Sequence, residues 1–382
     1  MKLFKRQRGS FTLMSGILLL TLILAGCGSA NNGSTTGSSS TPGSSTANSN
    51  GKGCTKVGVL LPETATSARW DGKDRPALKS DIEAIPGVTV DYYNAQGVSA
   101  QQQNQADQAL TKGDCILVVA PNDSAASAAI VTKAKASGVP VIAYDRIIQS
   151  KDLNYYVSFD NEKVGQLQGQ YILDHYTTYI KGKGKNNIVM INGAQTDQNA
   201  ILFNKGVEET LKPLFDNKTL NKVYDQFTPN WDNPTAQTEM EGALTKNANN
   251  IQIAYVANDG MASTVIAALK AQHLNGKVLV TGQDATDAGI HNILTGDQSM
   301  TVYKAIIKEA QATADIVKAL HDGTTPTTTG TSQTSDGGSI PSTLETPVAV
   351  DKANIVSTVV KDNYIDKATV CAGLPAGAGG VC

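Results

Sequence analysis

Short apolar runs rich in β-branched residues alternate with longer amphipathic stretches along most of this chain. The runs predict strands at 56–61, 88–93, 116–120, 139–144, 155–159, 187–192, 222–226, 251–257, 277–281 and 300–303. The stretches between them predict helices, for example at 100–112, 125–137, 162–179 and 304–321. Strands that are apolar at consecutive positions are buried on both faces, which is typical of a parallel sheet covered by helices. The alternation therefore predicts a doubly wound α/β fold.

A weak internal repeat divides this pattern into two halves. Residues 116–123 resemble residues 253–259, and each segment is followed by a predicted helix and by a strand that ends at Asp145 or at Asp284. Ligands of open α/β sheets bind outside the carboxyl ends of the strands. Two such domains facing each other across a hinge would form a clamp.

Polar and aromatic residues follow the predicted strands, where a ligand of such a clamp would lie. A sugar presents hydroxyls around its edge and C–H groups on its faces, so its site needs hydrogen-bonding side chains in the ring plane and aromatic rings against the faces. The residues that fit this description are Arg69, Trp70, Lys73, Asp74, Arg75, Asp145, Arg146, Asp197, Gln198, Asn199, Trp231, Asn258, Asp259 and Asp284.

Each candidate also has an ordinary structural interpretation. A tryptophan usually packs in a core, but both tryptophans, Trp70 and Trp231, fall in polar segments after strands, which favours stacking on a ligand. An aspartate after a strand is often a helix N-cap; that interpretation is favoured for Asp123 and is an alternative for Asp259. For Asp145 we expect a ligand contact with Arg146 as its fixed partner.

The N-terminal residues predict export. A basic cluster precedes an apolar run at 11–25, which is shorter than the roughly 20 residues of a membrane-spanning helix. The run ends in Leu-Ala-Gly-Cys, which resembles a bacterial lipobox, so 1–26 is predicted to be a lipoprotein signal peptide and Cys27 the site of lipid attachment. The alternative is an uncleaved anchor helix. Residues 27–53, rich in Ser, Gly and Thr, form a predicted flexible tether to the membrane.

The remaining cysteines are even in number, which in an exported protein suggests disulfides. Cys54 and Cys115 each precede a predicted strand, and the two strands are expected to be neighbours. We therefore predict one bridge between Cys54 and Cys115. A second, between Cys371 and Cys382, would close a C-terminal loop at 371–382.

Composition argues against several classes of function. The net charge is −2, without a basic stripe, so nucleic acid is not an expected partner. No nucleophile elbow, phosphate loop or zinc-protease motif is present, and the four histidines are scattered, so neither a cofactor nor a metal is expected. A glycosidase using Asp145 and Asp284 is the enzyme alternative. A cytoplasmic sugar-responsive repressor lacks support because no DNA-binding helix-turn-helix is evident.

Five segments together resemble the D-xylose-binding proteins of ABC importers, within the type I periplasmic sugar-binding proteins. They are Ala143-Tyr144-Asp145-Arg146, residues 158–165, residues 256–259, residues 282–285 and residues 300–304. The resemblance covers most of 56–362. It implies ligand contacts at Arg69, Asp145, Arg146, Asp197, Asn199, Trp231, Asn258, Asp284 and Lys304, to which the aromatic argument adds Trp70. Lys304 would otherwise be read as a solvated residue at a helix start.

The resemblance also implies a three-segment hinge and a role in transport. The N-terminal sugar-binding domain would comprise 54–157 and 302–338, and the C-terminal one 158–301 and 339–370. The expected partners are a monosaccharide, the membrane subunits of an ABC permease, and the membrane through the lipid; the expected state is a monomer outside the cytoplasm.

Two departures from the family pattern leave the sugar open. The segment from Arg69 to Arg75 is one residue longer than usual, and Gln198 replaces the usual Asn. Residues 67–70 also match a group of multiple-sugar-binding proteins. Glucose, galactose and arabinose therefore compete with D-xylose, and a sensory role beside transport is an alternative.

Overall fold

The computed structural model describes residues 49–180 and 186–382. Its strands are β1 (Lys56–Leu61), β2 (Thr89–Asn94), β3 (Ile116–Val119), β4 (Val141–Tyr144), β5 (Tyr155–Phe159), β6 (Asn187–Asn192), β7 (Asn221–Phe227), β8 (Ile253–Val256), β9 (Leu279–Val280), β10 (Thr301–Tyr303), β11 (Gly330–Gln333), β12 (Ser339–Glu345) and β13 (Val348–Val350). Its α-helices are α1 (Arg75–Glu83), α2 (Ser99–Lys112), α3 (Ala128–Ala136), α4 (Asn161–Tyr179), α5 (Gln198–Asp216), α6 (Asn233–Lys246), α7 (Asp259–Ala271), α8 (Asp287–Thr295), α9 (Ile306–Asp322) and α10 (Lys367–Val370).

The larger sheet has seven strands in the order β11-β12-β5-β4-β3-β1-β2. All neighbouring pairs are parallel except β11 with β12. Successive residues of β3 enter different cores: Ile116 and Val118 pack on one face of the sheet, and Leu117 and Val119 on the other. The sheet is thus buried on both faces, which explains why its central strands are continuously apolar.

The smaller sheet repeats this arrangement with four parallel strands in the order β7-β6-β8-β9. Strand β6, the first of this sheet along the chain, lies between β7 and β8, as β1 lies between β2 and β3 in the larger sheet. The internal repeat therefore corresponds to a repeated topology. Strands β10 and β13 form a separate antiparallel pair beside it. The predicted doubly wound α/β class is confirmed.

The chain passes three times between the sheets, after β5, between β10 and β12, and between β12 and β13. The polar strands β11 and β12 were missing from the sequence prediction because neither is an apolar run. Since β12 pairs with β5, residues 339–345 belong to the larger sheet, whereas the predicted boundary assigned them to the second domain. Likewise β5 continues to Phe159, beyond the predicted boundary at 157. The division into two domains otherwise stays a prediction.

Both predicted disulfides are present. Cys54 is bonded to Cys115, and Cys371 to Cys382, each with a Cα–Cα distance of 5.5 Å. The first bridge joins the neighbouring strands β1 and β3 at their amino ends, as their adjacency predicted. Within residues 49–180 and 186–382, no helix is long and apolar enough to cross a membrane. The predicted signal peptide, Cys27 and nearly all of the tether lie outside the described residues.

Candidate ligand-binding site

A narrow pocket lies where the carboxyl ends of strands from both sheets meet. The space free to water inside it is about 20 Å³. Every ligand contact predicted from the sequence lines this pocket, together with four further residues. The lining residues are Thr66, Ser67, Arg69, Trp70, Asp145, Arg146, Asp197, Asn199, Phe203, Trp231, Asn258, Gln283, Asp284 and Lys304. That they contact a ligand stays a prediction, but the structure brings them together.

Arg69 is the centre of the charged network at the base of the pocket. Its guanidinium donates from Nε and Nη2 to the two carboxylate oxygens of Asp74, at 2.8 and 2.5 Å. Nη2 also donates to Glu309 at 3.2 Å, and Nη1 donates to Asp145 at 2.8 Å. Asp74 and Glu309 lie behind the guanidinium, outside the pocket lining. Their hydrogen bonds therefore fix the plane of the guanidinium and aim Nη1 into the pocket.

A π-helical turn, Trp70–Asp74, produces this orientation. The N–H of Arg75 bonds to the carbonyl oxygen of Trp70, five residues back, instead of four. This turn contains the one extra residue found in the sequence comparison with the family pattern. π-helical turns inside α-helices frequently occur at functional sites, and here the turn leads directly into α1.

Asp145 connects the two sheets. Its Oδ2 accepts from Lys304 at 2.9 Å as well as from Arg69, and its Oδ1 accepts from Asn199 Nδ2 at 3.2 Å. The backbone of Asp145 has a φ of 59°, which is strained for a residue with a side chain. Its carbonyl oxygen accepts hydrogen bonds from Tyr156 and Ser158, which hold that conformation.

Arg146 does not pair with Asp145, so that expectation was wrong. Its Nε lies 2.8 Å from Asp197 Oδ2, and its Nη1 donates to the carbonyl of Pro121 at 3.3 Å. Asp145 and Arg146 are successive residues whose side chains point in different directions. Asp145 is turned toward Arg69, and Arg146 is turned toward Asp197. The Arg146 guanidinium lies 5.1 Å from the centre of the Trp70 ring.

Trp231 forms an aromatic wall of the pocket. Its Nε1 donates to Asp197 at 3.2 Å, and its ring packs edge-on against Phe203, with the ring centres 6.3 Å apart. A Cβ at Gly193 would lie 2.1 Å from the Trp231 ring, so only glycine lets the ring lie this close to the backbone. The predicted aromatic role of Trp231 thus depends on a residue that the sequence analysis did not select.

Asp284 supplies a carboxylate from the side of the smaller sheet. Its Oδ1 is buried and accepts no hydrogen bond from the described residues, although Arg69 Nη1 is 3.6 Å and Lys304 Nζ 3.9 Å away. Its backbone has a φ of 101°, and Tyr364 donates to its carbonyl oxygen at 3.2 Å. The unpaired oxygen is an acceptor available to a ligand hydroxyl.

Asp259 lies outside the pocket and supports the segment that carries Asp284. Its carboxylate is buried and accepts from the backbone N–H of Thr286 at 2.8 Å, from Gln298 at 2.8 Å and from Thr301 at 2.8 Å. Asn258, rather than Asp259, is the N-cap of α7. The interpretation of Asp259 as a helix cap was therefore wrong.

Burial and ion pairing shift the protonation of this network in opposite directions. Burial raises the pKa of Glu309 well above its ordinary value and also raises the pKa of Asp74. Burial acts the same way on Asp145, but the nearby Arg69 and Lys304 outweigh it and lower the pKa of Asp145 below its ordinary value. The carboxylate of Asp145, which faces the pocket, is thus held ionised, while Glu309 behind Arg69 favours its neutral form.

The arrangement suits reversible binding of a neutral polar molecule. A glycosidase needs one protonated carboxylic acid beside the scissile bond, whereas Asp145 is held ionised. All three pocket carboxylates, those of Asp145, Asp197 and Asp284, lie beside cations. Among the described residues, no group of three or more His, Cys, Asp or Glu side chains is placed to hold a metal ion.

Several functional residues escaped the sequence analysis. Phe203 lies inside α5, and Glu309 lies inside α9, where each follows an ordinary helical pattern. Thr66, Ser67 and Gln283 adjoin selected residues and could have been found by extending those segments. Conversely, Lys73 points away and donates to the carbonyl of Tyr364, and Arg75 forms an exposed pair with Asp71.

Fold and site together define a binding protein that holds a small polar ligand between two α/β sheets. A family model of the periplasmic binding protein domain matches residues 57–325. The D-xylose-binding periplasmic protein of Haemophilus influenzae is 38% identical over 265 residues, which cover 69% of this chain and 77% of that protein. The multiple sugar-binding periplasmic receptor ChvE of Rhizobium radiobacter is 35% identical, over 74% of this chain and 82% of that protein.

A solved structure is also similar. The solute-binding protein of an ABC transporter from Clostridium phytofermentans, with bound β-D-glucose, aligns with a TM-score of 0.76 and 28% identity, and covers 82% of this chain and 99% of its own. The chain belongs to the periplasmic binding protein family, among the type I sugar-binding proteins that include the D-xylose-binding ones. It is a sugar-binding protein of the ABC-transporter type that acts outside the cytoplasm. The prediction of a binding protein rather than an enzyme is confirmed by these relatives.

Proposed function

We propose that this chain is a lipid-anchored solute-binding protein that captures a monosaccharide, D-xylose first among the candidates, and delivers it to an ABC permease. The observation that carries the proposal is the pocket: the nine ligand contacts implied by the family resemblance, together with Trp70, line one narrow space. These residues come from loops far apart in sequence, so their convergence depends on the fold.

The pocket's chemistry suits sugar hydroxyls, which both donate and accept hydrogen bonds. Arg69, Arg146 and Lys304 supply donors, and Asp145 and Asp284 supply acceptors. The unpaired Oδ1 of Asp284 gains a partner when a hydroxyl approaches, which favours binding because a buried polar atom without a partner is costly. The rings of Trp70 and Trp231 offer faces to the C–H groups of the sugar.

D-xylose is proposed as the sugar on the strength of the relatives. The D-xylose-binding protein of Escherichia coli is 38% identical over 271 residues. The glucose-bound structure and the multiple-sugar receptor are less similar, at 28% and 35% identity. A multiple-sugar specificity, accompanied by a sensory role, is the second candidate, because the 35% identical ChvE protein is a multiple sugar-binding receptor and residues 67–70 resemble the pattern of multiple-sugar-binding proteins.

Capture would proceed by closure of the two sheets around the sugar. A sugar that contacts Asp145 from one side and Asp284 from the other binds the closed form better than the open form, and so shifts the population toward it. The closed form would then be recognised by the permease, whose ATPase is a separate chain. Lipid attached to Cys27 and the tether at 27–53 would keep the binding protein beside that permease.

Calorimetric titration of the purified domain, starting at Gly53, tests the ligand. D-xylose, D-glucose, D-galactose, L-arabinose and D-ribose are titrated separately. Binding of D-xylose at micromolar Kd or tighter, about −8 kcal/mol, with at least tenfold weaker binding of the others, is the expected result. Comparable affinity for several sugars would favour the multiple-sugar candidate, and no heat with any of them would overturn the assignment to simple aldoses.

The anchor has its own test. Cells that express the full chain and are labelled with a radioactive fatty acid should yield a labelled protein in the membrane fraction. Cys27→Ser should remove the label and leave the protein either unprocessed or soluble. Labelling that survives this substitution would disprove the attachment site.

A further inference from the structure

A second cavity borders the sugar pocket at the mouth of the cleft, and we call it the outer cavity. Thr66, Arg146 and Trp231 line both spaces. The other residues of the outer cavity are Glu63, Ala65, Gln96, Gly97, Asn122, Ala194, Thr196 and Asn230. The space free to water is about 200 Å³ in the outer cavity and about 20 Å³ in the pocket, so the outer cavity is much the roomier of the two.

The outer cavity is built from the same strand ends as the pocket, displaced toward one side of the cleft. Its residues follow β1, β2, β3 and β4 of the larger sheet, and β6 and β7 of the smaller sheet. Like the pocket, it therefore has walls from both sheets. Any molecule that fills it touches both sides of the cleft.

Several polar groups on its walls have no partner in the described part of the chain. They are the hydroxyl of Thr196 and the side-chain amide of Asn230, both exposed to solvent, the amide oxygen of the half-buried Asn122, and the Nη2 of Arg146. The remaining nitrogens of Arg146 are occupied by Asp197 and by the carbonyl of Pro121. Asn122 uses its Nδ2 to donate to the carbonyl of Gly97 at 3.2 Å. The side chains of Thr196, Asn230 and Asn122 are uncharged and can both donate and accept hydrogen bonds. They therefore match the hydroxyls at the edge of a second sugar ring.

Glu63 fixes the wall that the two spaces share. Its carboxylate is buried and accepts from the backbone N–H groups of Thr66 and Ser67, at 2.7 and 3.1 Å. With both oxygens engaged, Glu63 shapes the segment and presents no free charge to the cavity. Apart from Glu63 and Arg146, the outer cavity is lined by uncharged residues, whereas six charged side chains line the pocket.

We infer that the chain also binds a disaccharide of its monosaccharide, with one ring in the pocket and the second ring in the outer cavity. This inference rests on the proposed function, because the first ring occupies the proposed monosaccharide site. A substituent on that ring would extend into the outer cavity past the side chains of Thr66, Arg146 and Trp231, which line both spaces. The substrate range then extends from free sugar to short oligosaccharides.

Titration with xylobiose, purified free of xylose, tests the inference beside titration with D-xylose. The variant Thr196→Phe places a large ring in the outer cavity, since Thr196 lines that cavity and not the pocket. Thr132→Phe is the matched control, because Thr132 is an exposed residue of α3 that lines neither space. Expected results are measurable binding of both sugars by the unaltered chain and by the control, and at least tenfold weaker binding of xylobiose alone by Thr196→Phe.

The outcomes separate this inference from the proposed function. Binding of xylose without binding of xylobiose overturns the outer subsite and leaves the monosaccharide function intact. Xylobiose binding that Thr196→Phe leaves unchanged also overturns it. Absence of heat with both sugars, and with the other aldoses, overturns the proposed function and the inference together.

Discussion

Lys304 and Asp145 form a 2.9 Å ion pair, in which Asp145 follows β4 of the larger sheet and Lys304 follows β10, where the chain crosses from the smaller sheet to the larger one. Both side chains are about 3% exposed, so water screens the pair little. In the proposed clamp this pair would stabilise the closed cleft even without a sugar, and it holds the Lys304 donor among the residues that line the pocket.

Lys304→Met should weaken sugar binding about 100-fold or more. Truncating one member of a buried, hydrogen-bonded charge pair typically costs about 2–5 kcal/mol in binding, and the remaining Asp145 keeps only Arg69 and Asn199 as partners. Small-angle scattering of the sugar-free variant should show a larger radius of gyration than the unaltered chain. Titration calorimetry measures the affinity.

Lys318→Met is the control for that substitution, since Lys318 is exposed on α9 and pairs only with Asp322 at 2.5 Å. It should leave both affinity and scattering unchanged. If Lys304→Met bound sugar like the control, neither the donor nor the ion pair would belong to the binding mechanism.

Gly193→Ala should remove the aromatic wall while leaving the fold intact. The new methyl group would lie 2.1 Å from the Trp231 ring, which must therefore move. We expect at least tenfold weaker sugar binding, together with a changed tryptophan fluorescence response on adding sugar. Gly242→Ala is the matched control, because nothing lies within 4 Å of its added Cβ and α6 tolerates alanine. Equal affinity of the two variants would show that the Trp231 ring does not stack on the ligand.

Asp114→Asn should stabilise the protein at pH 8. Burial, with Asp91 nearby, raises the pKa of Asp114 to about 7. Its Oδ1 has no partner, and its Oδ2 accepts from Tyr93 at 3.3 Å. Because the folded pKa lies above the unfolded value, the stability that this group contributes is fully present below about pH 4. It is lost as the pH rises through about 7.

The asparagine mimics the neutral form and so escapes this loss. Urea unfolding should show the variant about 1–2 kcal/mol more stable than the unaltered chain at pH 8, with a smaller difference at pH 5. Asp107→Asn, at an exposed position paired with Lys133, should show no such pH-dependent difference. An Asp114→Asn curve parallel to the unaltered one between pH 5 and 8 would contradict the assigned pKa.

The two disulfides should differ in their contribution to stability. The Cys54–Cys115 bridge spans 61 residues and the Cys371–Cys382 bridge spans 11. Closing the longer loop restricts the unfolded chain more, so replacing Cys54 and Cys115 by serine should cost about 4 kcal/mol, and replacing the other pair about 3 kcal/mol or less. Urea unfolding of the two double variants measures both. A larger loss from the C-terminal pair would show that native packing around α10, rather than chain entropy, decides the ranking.

Much of the fold follows from the sequence because parallel strands buried on both faces leave a strong apolar signal. Strands β1, β5 and β6 begin and end where that signal does. The polar strands β11 and β12 leave no such signal, since β11 lies at the sheet edge and pairs with β12 without being an apolar run. Strand position there is decided by tertiary contacts with β5, which no local pattern records.

The candidate site was predictable in part for the same reason. Residues directly after strands converge by topology, so Asp145 and Asp284 could be selected without coordinates, whereas Lys304 was implied only by the family resemblance. Phe203 and Glu309 reach the site from helix interiors, where their spacing matches ordinary helical residues. The pairing of Arg146 with Asp197 instead of Asp145 depends on the direction of single side chains, which sequence patterns do not specify.

Because of the π-helical turn at Trp70–Asp74, the extra residue of this segment does not prevent Arg69 and Asp74 from meeting behind the pocket. In an α-helix with 3.6 residues per turn, side chains five positions apart diverge by roughly 140°, yet Arg69 and Asp74 are five apart and hydrogen-bonded twice. Deleting exposed Gly72 would put them four apart, and an α-helical turn would then align them again. Such a chain should keep its sugar affinity within a few fold, and a loss of binding would refute this equivalence. Evolution can therefore lengthen or shorten this helix start by one residue without passing through a non-binding intermediate.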